Sequence, residues 1–462
     1  MYGMPIAQSL VFLAAVIILI ATIQRRHLHP FLAIVVITAV FGYVAGFPTS
    51  VLVRVFGTGF SDAIYSPGLV IVAAALVAGI AETSDASDRL SAWVEHWRSR
   101  KHSLGAPSAG ATVVAATMGL VAGIGASSGS AFALATPLLR PLGGKSAEQR
   151  EAAATTLALA TSASHGLMAL SPIPIAAAAI LDADWVKTAL FGTPLAALVI
   201  AFGALFARRT ASAGHTADSS AQLYPPPLSD RRGGGSVFAL GLAVALPLLL
   251  LIVQSIGSIP SEPLGGGPRR EFILGIGGPL ILFLASLAAM LIGQARQTLE
   301  LISDSAWTSR IFGNVVGLLL TVCAASGLQR LCQETGMATL LADHVLDWHF
   351  GAFAILIPFL VAAVLKTFQG SSLVAAITAA GMVQPLMGAL NLGGANTKAL
   401  AALAVGAGAM TVSHVNDDYF WLVTHTIGLP PRRGLTVFSF GTLLQGLLAA
   451  AVLLIVSLVW WS

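Results

Sequence analysis

The sequence predicts an all-α polytopic membrane protein: two inverted-topology repeats, about ten crossings and two re-entrant hairpins. Composition is the first reason. Of 462 residues, 56% are hydrophobic and only 10% are charged, with a mean hydropathy of +0.85, whereas soluble domains carry about 25% charge. The second is a series of apolar runs long enough to cross a bilayer, which takes about 20 residues. The third is that small polar motifs recur between the two halves at a nearly constant interval. Short basic loops between apolar spans account for the net charge of +4, so no nucleic-acid partner is expected.

Taken in order, the first half offers spans near 6–23, 30–47, 67–84, 152–171 and 186–207. The second offers 237–256, 271–293, 313–328, 396–414 and 434–461. The first run carries Arg25 and Arg26 after it rather than before it, so it is read as a span and not a secretory leader. Two longer stretches, 106–142 and 351–388, are interrupted by small polar residues at Gly125–Ser130 and Gln369–Ser372. Each reads as a hairpin that enters the bilayer and returns. The segment 208–236 is rich in Pro, Gly, Ser and charge, the composition of a solvated linker. The organisation is thus a first repeat over 1–207, a cytoplasmic linker over 208–236 and a second repeat over 237–462. Cys323 and Cys332 have no metal-ligand spacing around them and read as small buried side chains.

The halves match at intervals of 244–249 residues. Gly79 pairs with Gly327, Ser127-Ser128 with Ser371-Ser372, Ser164-His165 with Ser413-His414, and Phe191-Gly192-Thr193 with Phe440-Gly441-Thr442. Lys and Arg concentrate in the loops that the positive-inside rule assigns to the cytoplasm: Arg25 and Arg26, the 89–101 cluster, Arg140 to Arg150, and the linker. This requires five crossings per repeat and puts both termini outside. The second-half loop 329–350 then faces outside with Arg330 as its only Lys or Arg, although Arg269-Arg270 fall in an outside loop against the rule.

Broken elements in inverted repeats are the sequence signature of secondary transporters, which bind substrate near the midplane. The first hairpin tip supplies Ser127, Ser128 and Ser130, and the second Gln369, Gly370, Ser371 and Ser372. Exposed N–H groups and hydroxyls at helix ends there suit a carboxylate; the plainer alternative is close helix packing through small residues. Ser164-His165 and Ser413-His414-Val415-Asn416-Asp417 suggest crossing helices unwound midway. For His165 a satisfied buried histidine is the competing reading. Ser413 and Asn416 are assigned to substrate, and His414 with Asp417 to a coupling proton. Asp418, about 100° away on a helix, should point elsewhere. The competing reading makes Asp417 a helix cap and Trp421 an interfacial anchor. Lys366 either attracts an anion or snorkels to the interface. Amphipathic Asp88–Lys101 is expected to lie along the membrane surface. No G-x-S-x-G or H-E-x-x-H context supports an enzyme or a zinc site, and no cofactor is called for.

The runs S-H-V-N-D-x-x-F-W-L-V at Ser413–Val423, Q-G-S-S-x-V-A-A-I-T-A-A-G at Gln369–Gly381 and S-S-G-S-A-F-A-L-A-T-P-L at Ser127–Leu138 resemble the gluconate permease family of proton symporters. That resemblance implies uptake of gluconate or a related sugar acid or small hydroxy acid, driven by protons, in a bacterial inner membrane, often by a homodimer. Two positions depart from the pattern: Asp418 stands where a small residue is expected, and Lys366 where an arginine is. A sodium-coupled or exchanging carboxylate or amino-acid carrier is the nearest alternative, with a channel or an intramembrane enzyme more remote.

Overall fold

The computed structural model describes residues 14, 18, 29–83, 89, 107–123, 128–139, 146–169, 171–211, 236–259, 261–335, 353–388 and 390–460. Among these the secondary structure is helical, with no strand. Ser127, most of the amphipathic 88–101 stretch and most of the linker lie outside the described residues.

In the first half, α1 (Pro30–Val44) precedes α2 (Thr49–Ala63), a π turn (Ile64–Gly68) and α3 (Leu69–Thr83). The span expected at 67–84 therefore begins a full helix earlier. Polar Thr49, Arg54, Thr58 and Asp62 lower the apolar count of α2, but Leu52, Val55, Gly59 and Ala63 recur at helical spacing and are buried, as an amphipathic face requires. The first hairpin comprises α4 (Pro107–Ala122) and α5 (Ser128–Ala135), the latter extended by a 3₁₀ turn at Thr136–Leu138. Next come α6 (Ala147–Leu167), α7 (Pro172–Ile180) and α8 (Trp185–Thr210). A capping box fixes the start of α6: Gln149 N–H donates to Ser146 Oγ, and Ser146 N–H to Gln149 Oε1. Pro172 and Pro174 cannot continue the ladder of α6, so a new helix begins there.

In the second half, α9 (Val237–Gly257), α10 (Pro268–Gly275), α11 (Pro279–Ser303) and α12 (Ser305–Glu334) precede the second hairpin. That hairpin is α13 (Leu356–Gln369) and α14 (Ser372–Val383), again extended by a 3₁₀ turn, at Gln384–Leu386. The last elements are α15 (Ala395–Ala409), α16 (Asp418–Ile427), α17 (Pro431–Gly434), a π turn at Leu435–Ser439 and α18 (Phe440–Trp460). The span expected over 396–414 is thus α15 and the start of a non-helical stretch at 410–417, after which α16 resumes, so the helix breaks where the polar run begins. Among the described residues, six helical segments are long and apolar enough to cross a membrane: 147–180, 185–210, 237–257, 279–303, 305–334 and 431–459.

The broken elements form the interior. Every residue of α15 from Ala399 to Ala409 is buried, as is most of α6. Their small side chains allow the two helices to touch backbone to backbone: a Cβ added at Gly406 would lie 2.0 Å from the Gly166 carbonyl oxygen. The two helices run antiparallel. Near the start of α6, buried Glu151 meets Arg433, which follows α16, at 3.3 Å. Just after α7, Asp182 meets Lys398, at the start of α15, at 2.8 Å. The hydrogen bond and charge of Lys398 hold the Asp182 carboxyl below its usual range.

Buried side chains fall into two apolar clusters. One gathers residues of α1, α3, α5, α12 and α16; the other gathers α7, α8, α13, α14 and α15. Met410 belongs to the second and Val415 to the first, while Phe368 packs against both. The break at 410–417 therefore lies on the seam between them.

Candidate functional site

The second break is held open by its own backbone and by the hairpin tip beside it. Val412 has φ of 42°, a left-handed conformation that costs a β-branched residue roughly 1–3 kcal/mol. Gly370 ends α13 with φ of 81°, and a Cβ there would sit 2.3 Å from the Asn416 carbonyl oxygen. Only glycine lets the tip approach the break this closely.

A helix leaves its last carbonyls without intrahelical donors. At the end of α13 these are met from the break: Asn416 Nδ2 donates to the Thr367 and Phe368 oxygens at 3.1 and 3.3 Å, and His414 Nε2 lies 2.8 Å from the Thr367 oxygen. A carbonyl only accepts, so His414 carries its proton on Nε2. Asp417 caps α16, its Oδ1 accepting from Tyr419 N–H at 3.0 Å. Its Oδ2 meets the Lys366 ammonium at 2.5 Å and accepts from Ser413 Oγ. The ammonium also donates to the Gly370 carbonyl. Lys366 is 1% exposed and Asp417 4%, which excludes snorkelling for the lysine. The π turn before α18 brings Ser439 Oγ onto the Ser413 carbonyl.

Lys366, Gln369, Gly370, Ser413, His414, Asn416 and Asp417 are thus gathered at one place. Ser371 caps α14, accepting from Val374 N–H at 3.4 Å, and half-buried Ser372 begins that helix. In the first half, Ser164 Oγ donates to the Leu120 carbonyl at 2.7 Å, and Ser171 Oγ lies within bonding distance of the Gly123 and Ser164 carbonyls. Those hydroxyls tie α6 to the first hairpin. His165 is buried in the last turn of α6; Ser128 is half-buried and Ser130 buried in α5. Tyr419 joins the halves: its hydroxyl donates to the Ala158 carbonyl of α6 at 3.0 Å, and its ring meets Phe132 of α5 edge-on at 5.8 Å.

Two expectations are corrected. Trp421 is buried and donates its Nε1–H to the Val415 carbonyl at 2.8 Å, so it is no membrane-surface anchor. Asp418 does not point away from Asp417. Asp417 has the extended geometry of a cap, φ −107° and ψ 124°, so the 100° helical rotation does not separate them, and the two carboxyls interact.

Sequence reasoning missed Ser326 and Gln329 of α12. Ser326 Oγ donates to Asp418 Oδ2 at 3.4 Å, and the Gln329 side chain lies beside Gly370. The recurrence of Gly79 as Gly327 marks this part of α12 as a repeated feature, and both residues lie within two positions of Gly327. Asn416 Oδ1, Gln369 Oε1 and Gln329 Oε1 are buried without a hydrogen-bond partner among the described residues. The site therefore offers an ammonium already paired to a carboxylate, with amide oxygens available to donors.

The chain is 26% identical to a gluconate permease of Pseudomonas aeruginosa, covering 97% of each. It is 25% identical to a gluconate permease of Zymomonas mobilis, covering 90% of each. It is also 23% identical to the D-serine transporter DsdX of Escherichia coli K12, over 95% of this chain and 96% of that one. These relatives are carriers rather than enzymes, and the apolar helices make this a multi-pass membrane protein. The profile of the GntP family permeases matches residues 7–459, and with the whole helical region covered, the chain belongs to that family.

Proposed function

We propose that the protein is a secondary active transporter that takes up gluconate, or a related sugar acid or small hydroxy-carboxylate, together with protons. The observation that carries this reading is the buried Lys366–Asp417 pair at the meeting of a hairpin tip and a broken helix. A buried ion pair tolerates loss of one partner poorly. Protonating Asp417 frees the ammonium for an incoming carboxylate, and a bound carboxylate in turn favours the protonated aspartate. Each event promotes the other, the reciprocity that coupling requires. His414, its Nε2–H facing Thr367, positions the break around that exchange.

The unpartnered amide oxygens of Asn416, Gln369 and Gln329 suit the hydroxyl donors of a sugar acid. Ser128, Ser130, Ser164 and His165 in the first half, and Ser371, Ser372 and Ser413 in the second, complete the assigned substrate contacts, with Ser127 at the first tip. The antiparallel course of α6 and α15 supports the inverted repeats, with ten crossings, two hairpins and a cytoplasmic linker. A homodimer in a bacterial inner membrane completes the reading.

Amino-acid carriage is the second reading, because an α-ammonium would satisfy the same amide oxygens and one relative is named for D-serine. Uptake of labelled gluconate, hydroxy acids and D-serine into proteoliposomes tests both. Accumulation of gluconate on a pH gradient without sodium supports the first; D-serine alone, or a sodium requirement, overturns it.

A further inference from the structure

Asp418 adds a charge that the ion pair does not balance. Lys366 supplies one positive charge, and Asp417 alone neutralises it through direct contact at 2.5 Å. Asp418 follows in sequence as the first residue of α16. Its carboxyl interacts with that of Asp417 and accepts from Ser326 Oγ at 3.4 Å. The charged and titratable groups acting on it are Asp417 and Lys366, while Cys323 of α12 feels its charge and Tyr419 follows it in the chain. None of these adds a second positive charge.

Asp418 is also less enclosed than its neighbour: it is half-buried, whereas Asp417 is 4% exposed. Where Asp417 is held by an ammonium, a hydroxyl and a backbone N–H, Asp418 accepts from Ser326 at the longer distance of 3.4 Å. The same loop carries Asn416, 0% exposed, with its Oδ1 unpartnered, a buried acceptor that points to a ligand. An anionic substrate entering here meets two carboxylates and a single ammonium, and net charge at bilayer depth is costly.

We propose that Asp418 is a second proton-binding site, so that a monoanionic substrate crosses with two protons and transport carries net positive charge. This rests on the proton-driven reading above. In the empty site half-buried Asp418 keeps its charge; with substrate bound, the three carboxyl groups and one ammonium sum to two negative charges, which two newly bound protons cancel. Asp417 takes one when it releases Lys366, and Asp418 takes the other. In a carrier with a small residue at this position a single proton suffices, and no net charge moves with a monoanion.

The test is the charge moved per substrate, a ratio independent of how much protein is active. In proteoliposomes with gluconate and a fixed pH gradient, an inside-negative potassium diffusion potential of about 59 mV should raise wild-type accumulation tenfold, the factor for one net charge. Asp418→Asn and Asp418→Ser should accumulate gluconate on the pH gradient with no response to the potential. Asp418→Glu should recover the tenfold response. A wild type whose proton-driven accumulation ignores the potential overturns the proposal whatever the variants do. So does an Asp418→Asn protein that responds as wild type does. Should both neutral variants be inactive, proton uptake on gluconate binding to purified protein decides: two per site in wild type and one in Asp418→Asn support the proposal, and equal numbers overturn it. Failure of the proton-driven reading itself looks different, because wild type would then show no dependence on the pH gradient.

Discussion

Lys366 and Asp417 lie 51 residues apart in the chain and meet at 2.5 Å in the interior, where neither is more than 4% exposed. The lysine belongs to the second hairpin and the aspartate to the broken crossing, so one contact ties the two irregular parts of the second half together.

Removing one partner leaves a buried charge without compensation, at a cost of roughly 3–5 kcal/mol. Lys366→Met should therefore lower the unfolding temperature in detergent markedly. The double variant Lys366→Met/Asp417→Leu should regain most of the stability while transporting nothing. A double variant no more stable than the single one would mean that the pair is not what holds the tip to the break.

Asp417→Asn removes the proton-binding group but keeps an acceptor for Tyr419 N–H. The expected result is uphill accumulation on a pH gradient cut to what the single proton on Asp418 can drive, with exchange of internal for external substrate still measurable. Wild-type accumulation by Asp417→Asn would show that the proton travels elsewhere and that the residue acts only as a cap.

Gly370→Ala should be severe. The left-handed backbone alone costs a residue with a Cβ about 1–2 kcal/mol, and the new carbon would collide with the Asn416 carbonyl at 2.3 Å. Gly381, where an added Cβ meets nothing within 4 Å, is the control. Thermal unfolding and uptake should both fall in Gly370→Ala and stay near wild type in Gly381→Ala.

The proposed inverted arrangement predicts which side of the membrane each loop faces. In right-side-out vesicles an impermeant thiol reagent should modify Asp343→Cys readily and Ser219→Cys poorly. The reverse pattern would rule out the assigned orientation.

Helix positions and the two hairpins were legible because apolar length and Gly/Ser interruptions are local properties of the chain. The break in α15–α16 was legible for the same reason: Ser413 to Asp418 cannot pass unnoticed in an apolar run. The partner of Asp417 was not. Lys366 lies in another element, and nothing in a spacing reveals that its ammonium reaches both Gly370 and Asp417. Asp418 was misjudged because the helical rotation of 100° applies only inside a helix, and Asp417 stands just before one. Helix α2 was overlooked because its lipid-independent face, packed on α12 around Gly59, needs few strongly apolar residues: a Cβ at Gly59 would lie 2.5 Å from the Ser326 carbonyl oxygen. Ser326 and Gln329 went unnoticed because they reach the site through the packing of α12 on α13 and α16, which no spacing in the sequence reveals.

The broken crossings also differ in a way that bears on how such a carrier can change over time. Counting back 249 positions, the interval between Ser164 and Ser413, places Met168 opposite Asp417 and Ala169 opposite Asp418. Met168 closes α6 just as its break begins, and it brings a neutral thioether where the second half brings a carboxylate. On the reading proposed here, the energy-linked chemistry is confined to one half of the molecule. The other half is then at liberty to drift: substitutions around Ser164, Ser171 and the first hairpin can alter which acid fits without disturbing the ion that drives it. Divergent cargo among relatives sharing one engine is the pattern such a division of labour would leave.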